Sequence, residues 1–135
     1  MIDYTHKLKE AGLVASSAAG QVDSSDVIVD LGAGLVEGNL VVDVTAIEIA
    51  DNNEEYDIQL QGSSKSDFAD TIEVLASMKL GANEVLDGDQ DSLIGRYKVP
   101  FRTEKNGAIF PYVREYCTCA GTVSTGINFS TYLGK

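Results

Sequence analysis

Asp87, Asp89 and Asp91 are the residues of this chain whose spacing comes nearest to metal chemistry, because acids at alternate positions of a loop can surround a calcium ion with oxygens. An EF-hand loop would place a glycine after the third acid and a bidentate glutamate further on. Ser92 and Leu93 do not begin that pattern, so a solvated acidic loop is the expected reading. Cys117 and Cys119 lie two apart in an extended stretch and share a face. Joining them would distort a strand, and a zinc site would need more ligands than His6, the single histidine, supplies. Two buried thiols in a reducing compartment are expected.

Gly32, Gly34 and Gly38 do not make a phosphate loop, since Leu40 to Ile49 reads as another strand where a dinucleotide fingerprint opens a helix. A nucleophile–histidine pair would have to use His6 in the N-terminal stretch, where no rigid wall orients it. There is no tryptophan to line a sugar cleft for paired-acid hydrolysis. The chain therefore reads as a non-enzyme with no cofactor.

The elements that must position any site are strands. Tyr56, Ile58 and Leu60 alternate with Asp57, Gln59 and Gln61, and after the polar turn from Gly62 to Asp67 the alternation resumes with Ile72, Val74, Ala76 and Met78. This pair predicts a hairpin or sheet corner against which the other strands assemble. Val27 to Leu31 makes a short strand. Leu40 to Ile49 makes a longer one, whose phase breaks at Ile47 and Ile49 as a β-bulge would break it. Pro100 marks an edge strand or strand end, and Lys105, Asn106 and Gly107 signal a tight turn. Strands follow at Phe110 to Cys119 and Ile127 to Leu133.

About eight short strands without an amphipathic helix predict an all-β antiparallel sandwich, a jelly roll in preference to an immunoglobulin-like one. Residues 1–26 show little periodicity and are expected as an N-terminal arm, floppy or docked on a neighbour, with residues 27–135 as the sandwich domain.

With 135 residues the chain is long enough for one core without staples, and an apolar content of 44% suits a folded globule. Its 21 acids against 10 lysines and arginines give a net charge of -11, which opposes nucleic-acid binding. No run approaches the roughly 20 apolar residues of a membrane helix. The first twenty residues make a poor signal peptide, so synthesis in the cytoplasm is expected. In Tyr112 to Tyr116 one face carries Tyr112, Arg114 and Tyr116 and the other Glu115, so a charge goes inward either way. Arg114 or Glu115 is thus a candidate subunit contact.

The order of these features resembles a known family. A small-residue stretch from Ala15 to Gly20 leads into V-I-V-D-L-G at Val27 to Gly32. L-V-V-D-V-T at Leu40 to Thr45, D-I-Q-L-Q-G-S-S at Asp57 to Ser64, Y-V-R-E-Y at Tyr112 to Tyr116 and A-G-T-V-S-T-G-I-N-F-S at Ala120 to Ser130 follow. The arrangement is similar to the jelly-roll capsid cement, or decoration, proteins of tailed bacteriophages, of the Bordetella-phage type. The resemblance implies a structural virion protein on the outer surface of the phage head, where a homo-oligomer, dimer or trimer, clamps neighbouring major capsid proteins. On that reading Ile2, Tyr4, Leu8, Leu13 and Val14 of the arm, with Tyr112, Arg114, Glu115 and Tyr116, form the interface. The alternative is a calcium-assisted glycan-binding module for host attachment, with Asp87, Asp89 and Asp91 as ligands.

Overall fold

The computed structural model describes residues 2–69, 72–82 and 93–134, with side chains from His6 onward. Among the described residues none is helical, and thirteen strands are present. The first five are β1 (Ile2–Val14), β2 (Ala18–Ala19), β3 (Gln21–Val22), β4 (Ser25–Asp26) and β5 (Val29–Asp30). The long strands β6 (Glu37–Ile47), β7 (Glu55–Ser63), β8 (Ile72–Gly81) and β9 (Gly95–Arg102) come next. After β10 (Glu104–Lys105) and β11 (Ala108–Ile109), the chain closes with β12 (Tyr112–Ala120) and β13 (Ile127–Gly134).

Among the described residues every strand pairing is antiparallel. One sheet runs β1-β13-β6-β9; the other runs β2-β12-β7-β8, with β5 lying beside β2 along the same side of β12. The small hairpins β3–β4 and β10–β11 have ladders of their own, the first packed beside β1 and the second tied to β8 through Lys105, which donates to the Val74 carbonyl. In the second hairpin Asn106 and Gly107 take positive φ values of 54° and 83°, which is the turn chemistry their sequence predicts.

Alternation explains how the two sheets come to face each other. In β7, Tyr56, Ile58 and Leu60 are fully buried while Asp57, Gln59 and Gln61 point outward, and the apolar set meets Val113 and Cys117 of β12 and Ala76 and Leu80 of β8. From the other sheet, Leu8, Leu40, Val42, Val44, Phe101, Ile127, Phe129 and Leu133 complete one continuous core. Full burial of each large apolar side chain contributes about 1.5–3 kcal/mol.

Bulges decide where the sequence pattern fails. The β6–β13 register skips Thr45, and beyond it Ile47 turns toward the core, as the broken phase of Leu40 to Ile49 predicts. A second skip, at Leu75 in β8, is a correction to the sequence reading. It sends Leu75 inward and leaves Ile72 and Val74, expected on the buried face, 42% and 37% exposed.

The N-terminal residues are built into the first sheet. β1 is its longest strand, paired with β13, and Leu8 is fully buried in the shared core. Its register shifts between Ile2 and Lys7, Lys7 and Lys9, and Lys9 and Gly12. These shifts bring the adjacent Leu8 and Lys9 both inside and erase the two-residue period by which a strand is read from sequence. Pro100 sits in β9, which is indeed the outermost strand of its sheet.

Candidate functional site

Among the described residues, chemistry-bearing side chains gather in three places: the outer face of the second sheet, the interior behind it, and the loops at one end of the sandwich. On the outer face, β12 pairs with β7 so that Arg114 stands opposite Gln61 and Tyr116 opposite Gln59. Arg114 Nε donates to Gln61 Oε1 at 2.9 Å, Gln61 Nε2 to Gln59 Oε1 at 3.1 Å, and Gln59 Nε2 to Asp57 Oδ2 at 2.9 Å. The Arg114 guanidinium lies 4.5 Å from the centroid of the Phe68 ring and 5.4 Å from that of Tyr116. Tyr112 stands on the same face, opposite Ser63.

Behind this face, Glu115 points into the core. It is 1% exposed, and neither carboxyl oxygen has a hydrogen-bond partner. Burial pushes its pKa up to about 8, against the pull of the nearby Lys9 ammonium, so at neutral pH the group is mostly the protonated acid. Lys9, 6% exposed, donates from Nζ to the carbonyls of Glu10, Gly12 and Phe129, and burial lowers its pKa. Cys117 and Cys119 share the inner face of β12 as free thiols; a hydrogen bond between them and burial push the Cys117 thiol up.

At the end of the sandwich Glu48, Asp51 and Glu54 bring carboxylate oxygens within 4.8 Å of one another. Glu48 takes backbone N–H donors from Ser124, Thr125 and Gly126 and the Ser124 hydroxyl, with contacts of 2.7 to 2.9 Å to its nearer oxygens. Glu54 takes the N–H groups of Asp51 and Asn53. These donors occupy the carboxylates in holding loops. The Gly126 N–H and the Ser124 hydroxyl bring the Glu48 pKa down to about 2. Burial works against the charged form of Glu54, yet its N–H donors more than offset that and leave it below the usual range.

A carboxylate with a depressed native pKa contributes stability above its ordinary value of 4.5 and loses it as pH falls toward about 2. Glu48→Gln is therefore expected to lower the melting temperature near neutral pH and to shrink the acid-induced loss between those two values. Thermal melts across the acid range check this. Equal wild-type and mutant slopes there would remove Glu48 from the account.

The sequence-predicted residues are spread over these places. Tyr112, Arg114 and Tyr116 come together on the outer face, whereas Glu115 lies in the interior of its own chain, so Arg114 is the member of that pair left at the surface. Leu8 is buried, Val14 packs against the core and Leu13 is 61% exposed. Ile2 and Tyr4 belong to β1, with side chains outside the described part. Asp87, Asp89 and Asp91 lie outside the described residues. Sequence reasoning passed over Gln59, Gln61, Phe68, Lys9 and Glu48. The D-I-Q-L-Q alternation and a lone phenylalanine in a polar loop were the available signals for the first three.

Comparison with known proteins finds no family model that matches the chain and no curated protein that matches it.

Proposed function

We propose that this chain is a jelly-roll structural protein of the capsid cement type, which clamps neighbouring shell subunits on the outside of a phage head and makes no chemical change. The strand order supports the jelly-roll part. If β2 and β5 are taken as one interrupted strand, each sheet has four strands, and the chain passes between sheets in the manner of two Greek keys. The net charge of -11 favours an outer surface over one lined with nucleic acid.

The observation that carries the clamp is the margin of the first sheet. Among the described residues β1 forms a ladder on one side only, with β13, and Leu13 near its end is 61% exposed on the outer face beside Asn128 and Ala46. A strand margin without a second ladder, only partly covered by β3, together with an exposed aliphatic side chain is a surface suited to a protein neighbour, whether a shell subunit or a second copy in a dimer or trimer.

Deleting the first twenty residues would remove Leu8 from the core, so the test uses surface substitution. Copy number in gradient-purified particles is expected to stand in a simple ratio to the main shell protein. Leu13→Glu, folded by circular dichroism, is expected to lower particle occupancy about tenfold. Wild-type occupancy by Leu13→Glu, or only a few copies per particle, would overturn the clamp.

A further inference from the structure

Side chains on a wet sheet face are ordinarily free to rotate, yet here four consecutive outward groups are tied into one row. Asp57, Gln59 and Gln61 project from alternate positions of β7 and are joined by amide hydrogen bonds of 2.9 and 3.1 Å, with Arg114 added from β12 at 2.9 Å. Fixing long polar side chains costs rotamer entropy, and hydrogen bonds in reach of water return little more than that cost.

The 64–69 loop also contributes. Phe68 sits at a φ of +55°, a left-handed region that strains a bulky residue, and it is 8% exposed with its ring beneath the Arg114 guanidinium. The chain thus accepts backbone strain and side-chain order to hold a polar platform in one conformation. Such ordering in the free protein lowers the entropy a ligand must later give up.

The unused valences define the ligand. Each glutamine spends one N–H and one carbonyl lone pair on the row and keeps one of each, while Arg114 keeps the N–H groups of its Nη atoms. Tyr112 and Tyr116 flank the row with a ring and a hydroxyl apiece. Formal charge is close to balanced, with Arg114 and Lys79 against Asp30, Glu55 and Asp57 on the face, in a chain whose excess of acids repels anions. A ligand that donates and accepts at every hydroxyl, carries no charge and offers C–H faces to tyrosine rings fits this set.

We propose that the outer face of the second sheet binds a neutral glycan, laid across Gln59, Gln61 and Arg114 between Tyr112 and Tyr116, without calcium. The site lies on the sheet opposite to the β1 margin and stands whether or not the shell-clamp reading does. It uses none of the residues of the acidic Asp87–Asp91 loop.

The full chain, titrated in EDTA with millimolar maltohexaose, cellohexaose, chitohexaose and mannohexaose and followed by amide NMR, tests it. At least one sugar is expected to shift signals of β7 and β12. Gln61→Ala and Tyr116→Ala, both surface changes, are each expected to weaken that affinity about tenfold or more. Silence toward all four sugars, shifts that map to the first sheet, unchanged affinity in Gln61→Ala, or binding that requires calcium would each overturn the proposal. Silence together with loss of particle occupancy in Arg114→Ala would give the face to a protein contact instead.

Discussion

Replacing Glu115 by leucine is expected to stabilise the protein, and to do so by more near pH 8.5 than near pH 5. The side chain is 1% exposed with both carboxyl oxygens unpartnered, and burial raises its pKa from 4.5 to about 8. Between those values the unfolded chain has released a proton that the folded chain still holds. Stability therefore falls as pH rises through that window and levels off above it, whereas below the lower value both states are protonated and the effect vanishes. At about 1.4 kcal/mol per unit, the whole loss is on the order of 5 kcal/mol.

The charged groups near Glu115 set the limits of this effect. Lys9 from β1 draws the carboxyl down, and Cys119 on its own strand pushes it up. Leucine removes both the buried polar group and the slope, while glutamine removes the slope and leaves an amide with the same lack of partners. Glu48, Glu54 and Asp43, all held below their ordinary values, work in the opposite sense at lower pH. The wild type should thus be most stable near pH 5. Urea denaturation near pH 5, 7 and 8.5 measures this directly, and a wild-type curve that rises toward the alkaline end would show that Glu115 does not dominate it.

What could be read from the residues depended on how local the cause was. Tyr56, Ile58 and Leu60 alternate with polar partners, and burial follows that alternation because β7 is regular and lies between two neighbours in its sheet. β1 hid because its register shifts put Leu8 and Lys9 on the same side, and the outward turn of Ile72 and Val74 hid behind the skip at Leu75. Local pattern left Arg114 and Glu115 equally able to face inward. The choice was made by partners distant in sequence, since Leu60 stands opposite Glu115 and Gln61 opposite Arg114. The same holds for the outer-face row, where Asp57, Gln59 and Gln61 are visible as a motif but their tie to Arg114 exists only through that register. Glu48 reads as an ordinary surface acid until the loop at Ser124 to Gly126 closes over it.

Lys9→Met is expected to destabilise the fold by roughly 2–4 kcal/mol and to loosen β1 before the rest of its sheet. Methionine keeps the apolar stem but removes an ammonium that donates to Glu10, Gly12 and Phe129 carbonyls at 3.0, 2.9 and 2.7 Å. Those bonds lie where the β1 register skips from Lys9 to Gly12, so the side chain supplies donors at the place the ladder is interrupted. The Phe129 carbonyl is buried and has no access to water in compensation, and the ammonium also stands 4.3 Å from the Phe129 ring centroid. Desolvation of the charge works the other way and keeps the net cost to a few kcal/mol. Hydrogen exchange at the Phe129 and Thr131 amides should accelerate ahead of exchange in β7. The cost should also depend on Glu115: near pH 8.5, with that carboxyl ionised, Lys9→Met should cost more in the wild type than in a Glu115→Leu background, and near pH 5 the two costs should converge. Equal costs at both pH values would mean that the two buried groups, though side by side in the core, act on the fold independently.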